Sequence, residues 1–236
     1  MENKNKHTDL EVVKVGYANG VSPNFPLSDK EKEKMIKKAT TAYGKFLDAL
    51  DCDWRNDPNS SDTPRRVAKA YVNDLWAGRY TPMSPITSFP SDGYDGIVIE
   101  RNIPLTSMCS HHHQTISGVV HIGYIAGEEG QVIGLSKLNR IVELFGRRGA
   151  IQEQLTSAIH GAVDKITEGN LGVAVTIVAG HNCVSCRGVK HQGASMVTTK
   201  ASGAFRDNTN NARKEFFDSL KINNGGHQIS INNSYK

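Results

Sequence analysis

Ser107-Met108-Cys109-Ser110-His111-His112-His113, taken with the distant His181-Asn182-Cys183, is an inventory of metal donors. Soft thiolates with imidazole suit zinc, and three protein donors leave the fourth tetrahedral position for water. In an extended strand Cys109 and His112 point to opposite faces, so both reach one ion only where the chain bends between them. Cys183 then closes the site from another part of the fold. Blander readings use the same residues. Three adjacent histidines also occur as an exposed polar turn or an adventitious metal patch. Cys183-Val184-Ser185-Cys186 is a C-x-x-C, the spacing of redox pairs and structural zinc sites. With no second C-x-x-C and no thioredoxin-like context, a catalytic zinc comes first and a structural one stays open.

Positioning such donors takes a real core. The chain's 236 residues, 38% hydrophobic and 22% charged, suit one globular domain, with room for a smaller appendage. A net charge of +4 is too mild for a nucleic-acid coat, and no Lys/Arg run interleaved with aromatics appears, so no nucleic acid is expected as partner. Four cysteines in a chain this long are no disulfide framework, which points to a reducing, cytoplasmic setting. No apolar run is long enough to span a bilayer and no signal-like segment opens the chain, so no membrane association is expected.

Residues 1–27 are polar and broken by Gly and Pro, and read as a mobile arm. Ser28 is the N-cap of a helix whose apolar stripe is Met35, Ile36, Ala39, Tyr43, Phe46, Leu47 and Leu50. After the loop at Asp57–Ser61, Asp62-Thr63-Pro64 begins a second helix, which Gly78 is expected to end. Arg65 and Arg66 read as surface charges. From Ile86 to Ile125 the texture changes to strands, with β-branched runs at 96–100 and 119–125 flanking the Cys/His cluster. His121 falls inside the second run and reads as structural or exposed.

Downstream, Gly134-Leu135-Ser136-Lys137 starts a helix with Ser136 as the expected N-cap and Leu138, Ile141, Val142 and Phe145 as its buried stripe. Lys137 and Arg140, three apart, share a face near its N-terminus, where two cations suit phosphate or simply form a solvated basic surface. Gly149 breaks this helix, and Ile151, Leu155, Ile159, Ala162 and Ile166 set the inner face of the next, with Glu153 off the stripe. The run 172–179 is the clearest strand, apolar on both faces and expected to be central. If it stays extended, His181 and Cys183 share a face. A strand at Ser195–Thr199 and a short helix from Ala212 to about Leu220 follow. Residues 222–236, rich in Asn, Gly and Ser, read as a disordered tail.

Several segments together resemble one family, GTP cyclohydrolase I, which converts GTP to 7,8-dihydroneopterin triphosphate and formate. They are Asp62-Thr63-Pro64-Arg65-Arg66-Val67-Ala68, Ser107-Met108-Cys109 with His111-His112, and Gly134-Leu135-Ser136-Lys137-Leu138-Asn139-Arg140-Ile141-Val142. Ile151-Gln152-Glu153, His181-Asn182-Cys183 and Arg187-Gly188 complete the set, which spans roughly residues 30 to 220. The resemblance implies an α+β tunnelling fold: an antiparallel sheet with two helices on one face, occupying 85–221, preceded by a helical N-terminal region at 28–84. It implies zinc on Cys109, His112 and Cys183, and His111 and His181 as acid/base groups. Glu153, with Gln152 beside it, would bind the guanine, while Ser136, Lys137, Arg140 and Arg187 would bind the triphosphate. It further implies a homo-oligomer, a decamer of two face-to-face rings, with active sites at subunit junctions.

The chain departs from the family pattern in four places. Ser110 stands where Glu is usual, His113 and Gln114 replace apolar or aromatic residues, and Cys186 adds a thiol. All three metal donors remain, so metal binding is expected to survive with one acid fewer nearby. A catalytically silent ligand-binding homologue and a thiol-dependent reductase of the same fold are the competing functions. The retained histidines and Glu153 argue against the first, and the metal positions of the cysteines against the second.

Overall fold

The computed structural model describes residues 6–8, 20–207 and 211–221. The expected arm at 1–27 falls mostly, and the expected tail at 222–236 wholly, outside the described residues. Helix α1 (Asp29–Ala49) opens on a reciprocal cap: the Ser28 hydroxyl accepts the Glu31 N–H, and the Glu31 carboxylate accepts the Ser28 N–H at 2.8 Å. Helix α2 (Thr63–Ala70) carries Pro64 in its first turn, where no N–H is needed. Asp62 makes no capping bond there. Its carboxylate instead pairs with Arg65 and Arg66, which are surface charges as expected.

This second helical segment does not run on to Gly78. It passes into a π-turn at Tyr71–Leu75 and then a 3₁₀ turn at Ala77–Arg79. Gly78 has a packing reason rather than a terminating one. A Cβ at that position would lie 2.1 Å from the Leu144 carbonyl oxygen, so only glycine lets this turn lie against the body of the protein.

Two antiparallel sheets follow. A small one has the order β1 (Lys6–Thr8), β2 (Ile86–Pro90), β5 (Gln131–Ile133). The main sheet has the order β3 (Ile97–Met108), β4 (Thr115–Ile125), β6 (Gly172–His181), β7 (Ser195–Ala201). Strand β6 is internal, as its two-sided apolar character requires. Strands β3 and β4 outrun the β-branched runs that announce them. Their extra length is carried by alternation instead: Ile103 and Leu105 are buried while Pro104 and Thr106 face out.

Helices α3 (Leu135–Gly146) and α4 (Gln152–Ile166) cover one face of this sheet. Leu138, Ile141, Val142 and Phe145 of α3 join Leu155, Ile159, Ala162 and Ile166 of α4 over Val173, Val175, Ile177 and Ala179 of β6. Each fully buried aliphatic contributes about 1.5–3 kcal/mol relative to exposure, so this layer holds the two helices on the sheet. Ser136 is not the N-cap of α3. Gly134 holds that position, without a side-chain cap, and Ser136 is exposed in the first turn. On the opposite face α6 (Ala212–Leu220) inserts Phe216 beside Phe205 and over Ala174. Gly123 makes room for it, since a Cβ there would meet the Phe216 ring at 2.7 Å.

Candidate metal centre

The β3–β4 hairpin turn is where the chain bends. Cys109 N–H donates to Gln114 O at 2.8 Å, His113 N–H donates to Cys109 O at 2.9 Å, and His113 adopts φ 52°. That reversal turns Cys109 and His112 toward one point. A strap from the far end of α3 braces the turn from below, because Ala150 N–H donates to Met108 O and Ala150 bridges Cys109. His113 packs edge-on against Trp76, ring centroids 5.2 Å apart, and its Nδ1 lies 3.3 Å from the Tyr71 hydroxyl. The π-turn of the N-terminal region thus holds the turn from the side.

The third donor arrives differently from the strand reading. Strand β6 ends at His181, and Cys183 lies on a single helical turn, α5 (Asn182–Ser185), not on an extension of the strand. The helical turn brings the two side chains to the same place, with Cys183 Sγ 4.0 Å from His181 Nδ1. The ligand atoms of Cys109, His112 and Cys183 all lie within 4.8 Å of one another. Cys109 is buried, Cys183 half-buried and His112 exposed, so the cluster opens on one side.

The donor chemistry fits a soft or borderline divalent cation. Burial, and then the neighbouring Cys109 thiol, push the Cys183 thiol up; the Arg187 charge works in the opposite direction. A bound cation would supply the opposing charge that favours the Cys183 thiolate. Two thiolates, one imidazole and an open side make a three-donor set of the kind that holds zinc with a free position.

The remaining predicted residues divide into two groups. His111 shares the turn with His112, and both rings are exposed. His181 lies beside Cys183, and burial lowers its pKa while the Glu153 charge opposes; Glu153 is exposed and directly follows Gln152 on α4. Gln152 is buried and its Oε1 is 2.7 Å from His181 Nε2. Arg187 is exposed just beyond α5. Ser136, Lys137 and Arg140 are elsewhere. They occupy the first turns of α3, where Asn139 bonds Glu100, the register partner of Ile122 on β4, whereas Gly146 at the helix's other end packs on Thr106, near the metal turn. Lys137 is therefore about 14 Å of helix away from that end.

His121 is buried, its Nδ1 accepting the Asn102 N–H at 3.2 Å across the β3 bulge, and is structural. Sequence reasoning missed Thr156 and Thr198, which pack around Gln152, and the Tyr71–Trp76 bracket on His113. A threonine on a helix or in a strand carries no signal of such a role. The bracket was visible only as a departure from an apolar pattern at His113.

An antiparallel sheet with two helices on one face, and a thiol–imidazole cluster at the tip of its long hairpin, defines an α+β metal-site domain. The family model described as GTP cyclohydrolase I matches residues 39–221. The chain belongs to that family, and the architecture above is the antiparallel sheet with two helices on one face that the resemblance implied. Among its relatives, proteins named GTP cyclohydrolase 1 include one from Corynebacterium glutamicum, 38% identical over 188 residues (78% of this chain, 93% of the relative). Another, from Aeromonas salmonicida, is 37% identical over 197 residues (83% and 87%). A third, from Mycobacterium ulcerans, is 42% identical over 146 residues (61% and 71%). A solved dihydroneopterin aldolase from Burkholderia thailendensis, bound to guanine, aligns at TM-score 0.35 and 12% identity over 47% of this chain and 92% of its own, too weak a likeness to bear on fold or ligand.

Proposed function

We propose that this protein converts GTP to 7,8-dihydroneopterin triphosphate with release of formate, an opening step of pterin and folate-type biosynthesis, and that its metal is zinc on Cys109, His112 and Cys183. The convergence of those donors beside His181 is the observation that carries the reading. A zinc ion there supplies Lewis acidity for hydrolytic attack at C8 of the guanine. His181 and His111, both next to the donor set, move protons as the imidazole ring opens and the formyl carbon leaves as formate. Glu153, exposed beside His181, accepts guanine N–H bonds and keeps C8 over the centre. Two hydrolytic steps consume two waters, and reclosure of the rearranged ribose onto the pyrimidine returns one.

Ser136, Lys137, Arg140 and Arg187 bind the triphosphate in this reading. The separation of the α3 group from the metal turn supports a site shared between copies: α3 of one subunit serves the metal centre of the next. Strands β3 and β7 are the two edges of the main sheet, and an open edge is a template for pairing with another chain. Val197 on β7 is 61% exposed, which fits cover from a neighbour in a homo-oligomer, by family resemblance a decamer. Four free cysteines fit a reducing cytoplasm, and no helix among the described residues is long and apolar enough to cross a membrane. The test is incubation of zinc-replete protein with GTP, following formate and pterin fluorescence alongside zinc per chain. Absence of both products with one zinc bound overturns the proposal.

A further inference from the structure

Gln152 is 1% exposed at the start of α4, and its amide is enclosed by groups of fixed polarity. Its Nε2 lies 3.2 Å from Ile177 O, 3.0 Å from Met196 O and 3.1 Å from Thr198 Oγ1. Backbone carbonyl oxygens only accept, so the end of the amide facing them is the nitrogen; flipping it would set oxygen against oxygen in a buried place. The hydroxyls agree. Thr156 donates its one proton to Gln152 O at 2.7 Å, so in the 2.7 Å Thr156–Thr198 contact Thr198 is the donor. Thr198 Oγ1 is thereby left to accept from Gln152 Nε2. Both N–H bonds of the amide are used, and Oε1 is left facing His181 Nε2 at 2.7 Å. An amide oxygen accepts, so that imidazole nitrogen carries the hydrogen.

We propose that Gln152 is a positioning residue. Its amide clamps the His181 ring as the Nε2–H form and presents Nδ1 toward Cys183 and the open side of the metal centre. The resemblance had placed Gln152 among the substrate contacts; its side chain, buried and saturated, reaches the substrate only through His181. Thr156 and Thr198 complete the clamp and tie it to β7, an edge strand. This inference rests on the reading of His181 as an acid/base group, and it names the nitrogen through which that group acts.

The unmodified zinc-loaded protein gives the direct test. Neutron diffraction after deuterium exchange should show a deuteron on His181 Nε2, aimed at Gln152 Oε1, whatever the state of Nδ1. A bare Nε2 overturns the proposal. Kinetically, Gln152→Met should lower kcat for formate release about 100-fold, with KM for GTP and zinc per chain unchanged. Thr198→Val should lower it less, in the same direction. A raised KM at wild-type kcat makes Gln152 a substrate contact and overturns the proposal, as does a wild-type rate in Gln152→Met. His181→Ala separates the two readings. Wild-type turnover in that variant removes the acid/base role, while the deuteron position in the unmodified protein still reports on the clamp.

Discussion

Gly78→Ala probes how the N-terminal region is joined to the metal site. The added methyl would lie 2.1 Å from Leu144 O and 3.0 Å from Arg147 O. Carbon–oxygen contacts settle at about 3.3–3.6 Å, so the turn must retreat by about 1 Å. Three bonds then fail together, each 3.0 Å long: Gly78 N–H to Arg147 O, Arg148 Nε–H to Gly78 O, and Arg79 Nη1–H to Arg148 O. A neutral bond is worth about 1 kcal/mol net and one from a charged donor about 1.5–3 kcal/mol. Arg148 sharpens the penalty, because it is 2% exposed and burial, with the Arg79 charge beside it, has already lowered its pKa to about 10. Allowing for partial relaxation, the loss is about 3–5 kcal/mol, or about 6–20 °C in Tm for a chain of this size. Calorimetry of zinc-loaded protein at fixed concentration reads it directly. The strap through Ala150 braces Cys109, so the variant should also surrender zinc to a chelator sooner. A Tm within about 2 °C of the parent would refute this account of the junction.

Other perturbations separate the parts of the site. His112→Ala should lose both zinc and turnover, whereas His111→Ala should keep zinc and lose rate; equal metal content in the two would mean the donor is misassigned. Arg187→Ala should raise KM for GTP far more than it weakens guanosine binding, and equal effects would take it out of the phosphate set. Arg140→Ala and His112→Ala subunits, each inactive alone, should on reassembly together recover about one quarter of parental activity if every site draws on two copies; no recovery would place both halves on one chain. Burial holds His121 and His160 below the usual imidazole range, with Arg101 adding to the first, Lys200 adding to the second and Asp164 opposing. The unfolded chain therefore takes up those protons first. Their contribution is present above about pH 6.5 and lost as pH falls below it. Glu100, raised by burial, acts in the opposite sense only near the carboxylate range. Tm should fall between pH 7.5 and 5.5, and His160→Gln should show a smaller fall; the same fall in both would exclude His160.

What was legible in the sequence was whatever depends on local pattern. The Ser28 cap, the stripes of α3 and α4, and the two-sided apolar character of β6 follow from periodicity, and the structure has them where periodicity puts them. The bend between Cys109 and His112 was also legible, because two donors on opposite faces demand it. Errors arose where tertiary context chose between local options. The strand could have run on through Cys183, but Asn182–Ser185 coils into a helical turn, which delivers the same sulfur by another path. Ser136 had the chemistry of a cap, yet the chain leaves β5 so directly that Gly134 takes that position. Nor does spacing say which of two adjacent polar residues faces substrate. Gln152 and Glu153 differ by one helical step, and burial alone separates a clamp from an exposed carboxylate.

The departures from the family pattern form contacts of their own rather than scattering over the surface. Cys186 Sγ lies 3.5 Å from Gln114 Oε1, so two of the unusual residues join the metal turn to the segment after Cys183. His113, a third, fits the bracket of Tyr71 and Trp76, and Gly149 at φ 71° leaves space for the indole where a Cβ would come within 2.7 Å of its nitrogen. Ser110 makes no such contact among those described, and the expected family Glu would put an acid there. The supports of the turn include polar contacts at Gln114 and His113, and Cys109, His112 and Cys183 converge beside them. On the proposed function, a chain that keeps Cys109, His112 and Cys183 together with His111 and His181 should differ from its relatives in rate and pH response before it differs in the reaction catalysed.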